Sequence, residues 1–271
     1  MNTWVLLRGL MREQRHWGRF PGQLSEALKD AVIVTPDLPG NGQHHALRSA
    51  TTVAETVEFC RAELRARGVP APYSLLALSL GGMVAVEWAS RYPQEIARCV
   101  LINTSMRPYS RFHQRLRWQN YPSILKQLWQ GGVENQERLI LRLTSREGDA
   151  AEREGLLKRW LGYQRECPVT RHNALRQLWS AARFRAPPVR PQVPLLVLSS
   201  AGDQLVDPRC SANLASAWQA DHAVHLNAGH DLPLDAGEWV AQTVADWLAM
   251  DGASGGRPVA TPGPTGVRRG S

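Results

Sequence analysis

Six short apolar runs recur along the chain: TWVLLRG, AVIVTPDLPG, YSLLALS, ARCVLINT, VPLLVLSSAGD and HAVHLNAGH. A strand that is apolar along its whole length, rather than at alternate positions, must be covered on both faces. The covering material is also legible. TTVAETVEFCRAELRARG places apolar residues at helical spacing and stops at Gly68, and LGGMVAVEWASRYP is closed by Pro93. GEWVAQTVADWLAM has the period of a last amphipathic helix. Strands alternating with helices predict an α/β fold with a mostly parallel central sheet between two helical layers. At 271 residues and 43% hydrophobic content, the chain can bury the core of one large domain that carries an insertion.

The insertion falls between CVLINT and PLLVLSS. This gap holds four helical stretches, RFHQRLRWQNYPSILKQLWQ, ENQERLILRLTS, AEREGLLKRWLGYQRE and TRHNALRQLWSAARF, far more than one crossover needs. The expected organisation is a sheet domain from residues 1–104 and 191–250 and an α-helical cap over 105–190. The tail over 251–271 is Gly, Pro, Ser, Thr and Arg with almost nothing to bury, so it is expected to be disordered. Its Arg257, Arg268 and Arg269 need no role beyond solvation.

Charge is uneven. The net +8 arises within residues 105–190, where 17 Lys and Arg face 7 Asp and Glu. Such a segment suits anionic substrates, acidic protein partners or nucleic acid, or is simply a solvated helical surface. No zinc pattern, RNP-like motif or glycine-rich phosphate loop accompanies it, which argues against a nucleic-acid binder. No window approaches about 18 consecutive apolar residues, so no membrane span is expected. The start, MNTWVLLRGLMREQRHW, has no cationic region ahead of an apolar stretch, so no signal peptide is expected and a cytoplasmic location is. Cys60, Cys99, Cys167 and Cys210 lie far apart with no metal spacing and are expected to be free thiols, Cys99 in the core.

The residue that asks for a function is Ser79, in YSLLALSLGGMVAVEWASRYP. A strand turning sharply into a helix leaves its turn residue at the carboxyl edge of the sheet, where parallel α/β proteins bind ligands. The flanking residues must be small for strand and helix to approach, and here they are Ala77 and Gly81. The N–H of Leu80, at the start of the helix, can face a developing oxyanion. ALSLG thus meets the steric demands of a nucleophile elbow, with Ala77 where Gly is commoner. A serine hydroxyl also needs an imidazole to take its proton, and the imidazole a carboxylate to fix its tautomer. Asp203 follows the fifth apolar run and His230 the sixth, so both belong on the same edge of the sheet as Ser79. Asp207 is a rival acid further from its strand. The run ending in Asn103 and Thr104 offers no carboxylate.

LLRGLMREQRHW, DLPGNG, ALSLGGMVAVEWASRYP, LLVLSSAGDQLVDP and AGHDLPLDAGEWV together resemble the α/β-hydrolase superfamily, in the branch with a helical cap. The resemblance runs from about Trp4 to Met250. It implies an α/β-hydrolase fold, a catalytic triad of Ser79, Asp203 and His230, a second oxyanion donor in the Leu10 N–H beside that of Leu80, and no metal or cofactor. Members commonly carry His-Gly after the first strand. Here it is Arg8-Gly9, which leaves open how that loop is braced. A serine at 79 also argues against the dehalogenases and epoxide hydrolases of this fold, which use Asp.

The acyl group is less legible. The cap is rich in aromatics (Phe112, Trp118, Tyr121, Trp129, Trp160, Tyr163, Trp179, Phe184), most of them expected in its own core. Trp118, Trp129, Trp160 and Trp179 are the candidates for lining an apolar cleft. SLGG after the nucleophile resembles esterases acting on acyl-carrier-protein esters, and Arg111, Arg115, Arg138 and Arg142 could dock such an acidic partner. The expected activity is a serine carboxylesterase on small-molecule esters. The alternatives are a thioesterase or carrier-protein ester hydrolase, and a non-catalytic binding module of the same fold. His44 and His45 read as solvated loop residues.

Overall fold

The computed structural model of the chain describes residues 2–29, 31–146 and 148–253. All six apolar runs are strands: β1 (Asn2–Leu7), β2 (Ala31–Val34), β3 (Tyr73–Leu78), β4 (Ile96–Ile102), β5 (Leu195–Ser200) and β6 (Asp221–His225). They form one parallel sheet in the order β2-β1-β3-β4-β5-β6. Burial follows position. Every residue of the central β3 is buried, whereas the edge strands β2 and β6 are only partly covered.

Alternation along the strands sends side chains to two cores. On one face Val5, Leu7, Leu75, Ala77, Cys99 and Leu101 pack under α2 (Val53–Ala66) and α3 (Leu80–Arg91). On the other, Trp4, Leu6, Leu76, Leu78, Val100 and Leu198 meet α1 (Phe20–Ala27) and α11 (Gly237–Ala253). Each fully buried leucine contributes about 1.5–3 kcal/mol, so the central strands anchor the sheet's carboxyl edge firmly. Helix α2 is capped by Thr52, whose hydroxyl accepts from the Glu55 N–H at 3.2 Å, and it ends before Gly68 at φ +68°. All four cysteines are free, and Cys60, Cys99 and Cys210 are buried.

The segment between β4 and β5, expected to form a cap, holds α4 (Phe112–Arg115), α5 (Tyr121–Gln130), α6 (Val133–Thr144), α7 (Ala150–Glu166) and α8 (Arg171–Arg183). The stretch RFHQRLRWQNYPSILKQLWQ is broken rather than one continuous helix. At Leu116 the backbone is extended, because the chain there pairs with the loop carrying Asp203: Arg117 N–H donates to Leu205 O at 2.9 Å and Asn120 Nδ2 to Gln204 O at 2.7 Å. After the cap, α9 (Arg209–Trp218) follows β5, and α10 (Leu232–Asp235) follows the His230 loop. Helix α11 continues to Ala253, three residues into the expected tail. The remainder of that tail, with Arg257, Arg268 and Arg269, lies outside the described residues. Among the described residues, no helix is long and apolar enough to cross a membrane.

Candidate active site

Ser79 is the single residue between β3 and α3, at φ +57°, ψ −114°. A non-glycine residue held there carries backbone strain of about 1–3 kcal/mol, which persists only where the surroundings enforce it. They do. Ser79 N–H donates to Ile102 O at 2.9 Å, and Ser79 O accepts from Thr104 Oγ1 at 2.8 Å and from Gly82 N–H at 3.0 Å. Two glycines allow helix and strands to close. A Cβ on Gly81 would lie 2.3 Å from Leu7 O, and one on Gly82 would lie 2.7 Å from the Thr104 side chain. Gly9 brings the loop after β1 against the serine, since its Cβ would sit 3.3 Å from Ser79 Cβ.

Asp203 and His230 meet in the same corner. Asp203 Oδ2 lies 2.7 Å from His230 Nδ1, with the two side chains 1% and 5% exposed. Asp203 Oδ1 accepts from the Leu205 and Val206 N–H groups at 2.8 and 2.9 Å. A carboxylate can only accept, so Nδ1 carries the proton and Nε2 is left as the basic nitrogen. Asp207 faces elsewhere: it chelates Arg209, which holds its carboxyl below the usual range. Among the described residues, Ser79 Oγ and His230 are not hydrogen-bonded to each other. Such contacts are often long in resting enzymes and tighten on substrate binding.

Three further residues hold this corner. Asn103, at φ +44° beyond β4, donates from Nδ2 to Ser200 Oγ at 3.0 Å and to His230 O at 2.8 Å, while its Oδ1 accepts from Ser200 N–H at 2.9 Å. Arg8 Nη1 and Nη2 donate to Asp231 Oδ1 and Oδ2 at 3.1 and 2.6 Å, and the guanidinium lies 4.6 Å over the Trp17 ring. Thr144, the last residue of α6, accepts the Asp231 N–H at 2.7 Å.

The family model matching residues 4–243 is the alpha/beta hydrolase family. The chain belongs to that family. Two curated relatives align over shorter stretches. The biotin biosynthesis bifunctional protein BioHC of Teredinibacter turnerae is 37% identical over 102 residues, 37% of this chain and 17% of that protein. The pimeloyl-[acyl-carrier protein] methyl ester esterase of Chromobacterium violaceum is 33% identical over 92 residues, 34% of each. The aligned part thus spans about a sixth and a third of those relatives. A thermophilic esterase from Thermogutta terrifontis shares the fold at TM-score 0.70 and 19% identity, covering 92% of this chain and 90% of that one.

Within this alpha/beta hydrolase, the other residues singled out by sequence fall in different places. Leu10 lies in the loop that Gly9 presses against Ser79, and Leu80 opens α3. Trp160 is 1% exposed, in the cap's interior with Leu141 and Leu157, and Arg12 stacks on it at 4.4 Å. Trp118, Trp129 and Trp179 are exposed on the cap, Trp129 at 85%. Of the four arginines, Arg111 and Arg142 are exposed and Arg138 pairs with Glu134 and Glu154. Arg115 instead turns inward to donate to the last carbonyls of α8, at Ala181 and Ala182. A basic groove with Lys126, Arg138 and Arg142 runs between α5, α6 and α7. His44 and His45, expected to be solvated, are half-buried: His44 pairs with Glu63 of α2 at 3.2 Å, and His45 Nδ1 lies 2.9 Å from Gly42 O in its own loop.

Sequence reasoning missed Asn103, Thr104, Asp231 and Thr144, and singled out Arg8 without its partner. Asn103 and Thr104 were legible only as the lack of an acid after β4. The Arg8–Asp231 pair had a faint signal, an unusual charge beside the first glycine together with an acid directly after His230.

Proposed function

We propose that the chain hydrolyses carboxylic esters through Ser79, His230 and Asp203. His230 Nε2 takes the Ser79 proton as Oγ attacks the acyl carbonyl, and the tetrahedral oxyanion accepts from the Leu10 and Leu80 N–H groups. Collapse breaks the ester C–O bond, and His230 returns the proton to the departing alkoxide. Water, deprotonated by His230, then attacks the acyl-Ser79 ester and releases the acid. Asp203 stabilises the imidazolium in both halves. The observation that carries this reading is the buried 2.7 Å Asp203–His230 contact at the same sheet edge as a serine strained on a strand–helix turn.

A fluorophosphonate probe tests it. Labelling that maps to Ser79 and is lost in Ser79→Ala is the expected result. No labelling of the native chain between pH 7 and 9 would sink the reading and leave the non-catalytic binding module in its place.

One observation favours a narrower substrate. The groove of Lys126, Arg138 and Arg142 on the cap suits an acidic carrier, and one relative is named for a carrier-protein methyl ester. Esters or thioesters on an acyl carrier protein are therefore the second substrate class. If carrier binding did not weaken between 50 and 300 mM salt, the groove would have no part in it.

A further inference from the structure

We propose that the Arg8–Asp231 ion pair is a positioning device that holds the His230 imidazole and the Leu10 loop as one unit around Ser79; this rests on the triad reading above. Arg8 is the first residue after β1, two residues before Leu10, and Asp231 directly follows His230. Their fork-to-fork contact, at 3.1 and 2.6 Å, therefore joins the two loops that flank the serine. The two side chains are only 3% and 4% exposed, and the Trp17 ring covers the guanidinium.

Stability alone does not account for such a pair. Withdrawing two charges from water costs about as much as their attraction returns, and apolar residues of similar volume often serve as well or better. A planar bidentate contact supplies direction instead: it fixes both the distance and the plane of Asp231, as a lysine could not. The neighbouring contacts complete the clamp. Asp231 N–H is held by Thr144 O, and His230 O by Asn103 Nδ2. Asp203 orients the ring, Asn103 and Thr144 hold the backbone of residues 230 and 231, and Arg8 adds the side-chain contact that ties this loop to the one after β1. The loop after β1 is thus tied by an arginine to the residue that follows His230.

The charges facing His230 define a signed test. Asp203 and Asp231 flank it, Asp235 accepts from Gly229 N–H at 2.7 Å, and Arg117 donates to Asp203 O at 2.7 Å. Arg146 packs on Gly202, where a Cβ would lie 3.0 Å from its Cδ. Arg8→Gln leaves Asp231 unpaired and negative beside the imidazole, so the acid limb of kcat/KM should move to higher pH. Asp231→Asn leaves Arg8 unpaired and should move it lower. Arg8→Lys keeps the charge but loses the fork, so kcat should fall with the acid limb in place.

The deciding variant is the double replacement Arg8→Met with Asp231→Asn, which removes both charges at nearly constant side-chain size. With p-nitrophenyl butyrate as the probe, kcat should fall about 10- to 100-fold, as expected for a displaced catalytic group. KM should stay within about twofold and the melting temperature within about 4 °C, a change of about 1 kcal/mol. Proton NMR of the full-length chain should show the downfield Nδ1 proton of His230 in the native protein and its loss or broadening in the double variant. That signal reads the imidazole whether or not an ester is turned over, so it stands apart from a failure of the esterase reading. Native kcat in a stably folded double variant would overturn the proposal. So would an unchanged Nδ1 resonance in it, or single variants whose acid limbs move the same way.

Discussion

Arg12 Nη1 lies 2.9 Å from Glu137 Oε2, and the two side chains are 6% and 0% exposed. Arg12 belongs to the loop that follows β1 and Glu137 to cap helix α6, so a buried ion pair fastens the cap to the loop beside Ser79. Trp160 lies 4.4 Å under the guanidinium, and Gln164 Nε2 donates to Glu137 Oε1 at 3.2 Å. One residue earlier, Met11 N–H donates to Gln177 Oε1 of α8 at 2.9 Å. The far end of α6 meets the other half of the site, where Ser145 Oγ donates to Asp235 Oδ1 at 2.6 Å. The inserted helical segment is therefore fastened at two points, since α6 and the residue after it touch both loops around the serine.

Breaking that pair from one side should be costly. Glu137→Gln keeps the shape but strands the Arg12 charge in a site closed to water. Loss of about 3–5 kcal/mol is expected for a half-removed buried pair, or about 10 °C or more in melting temperature for a chain of this size. Glu134→Gln, one turn earlier on the exposed face, should change stability by less than about 0.5 kcal/mol. Differential scanning calorimetry of the two variants checks both numbers. Equal melting temperatures would mean that water reaches Arg12.

Asn103 makes a second prediction. Its amide joins the ends of β4 and β5 to the His230 carbonyl. Asn103→Ala removes these bonds and also places a Cβ-bearing residue without a polar side chain at φ +44°. A stability loss of about 1–3 kcal/mol follows from the orphaned partners. Activity on p-nitrophenyl butyrate should fall by about tenfold or more through kcat. Asn103→Gly relieves the backbone but not the hydrogen bonds, so it should recover part of the stability and little of the rate. Full activity in Asn103→Gly would show that only the backbone conformation matters there.

The fold was legible because its signal is apolar and local. Six apolar runs and helices with a 3.6-residue period are visible in one dimension, and all six became strands, the two edge ones less covered than their composition implied. Ser79, Asp203 and His230 could be singled out for a related reason: each follows a strand, and in a parallel sheet all such ends share one edge. What sequence could not supply are pairings across long separations. Arg8 finds Asp231 and Glu137 finds Arg12 only after the sheet and cap have assembled. The same limit applies to the aromatics of the cap. Spacing cannot tell Trp160, buried under Arg12, from Trp129, which stands in solvent.

Glycine positions give a third test, in which one methyl group has opposite consequences. In Gly81→Ala the new Cβ would meet Leu7 O at 2.3 Å, and that oxygen belongs to backbone fixed in the sheet. The strand and α3 would have to separate, so the variant should be insoluble or should melt several degrees lower with Ser79 displaced. Gly162 lies inside α7 with nothing within 4 Å of its Cβ position. Gly162→Ala should therefore stabilise the protein by about 0.5–1 kcal/mol through helix propensity alone. Melting curves and fluorophosphonate labelling rates of the two variants separate a clash at the elbow from a general intolerance of alanine.

His16 sets the response to mild acid. Its ring is buried behind the loop after β1, where desolvation first, then the Arg12 and Arg8 charges, hold its pKa well below the ordinary value. Arg12 Nη1, which can only donate, lies 3.3 Å from Nε2, so that nitrogen is unprotonated and the ring proton sits on Nδ1, 3.3 Å from Glu13 O. The unfolded chain takes up a proton near pH 6.5 that the folded chain refuses. The stability this neutral ring contributes is thus complete above about pH 6.5 and drains away as pH falls below it. His222, also depressed by burial, adds a smaller loss of the same sign. The expected outcome is a melting temperature that declines steadily from pH 7 to pH 5. His16→Gln should lower the plateau at pH 7 but flatten the decline, because the residue that must be charged on unfolding is gone. A native-like slope in that variant would assign the acid sensitivity elsewhere, with His222→Gln the next variant to measure.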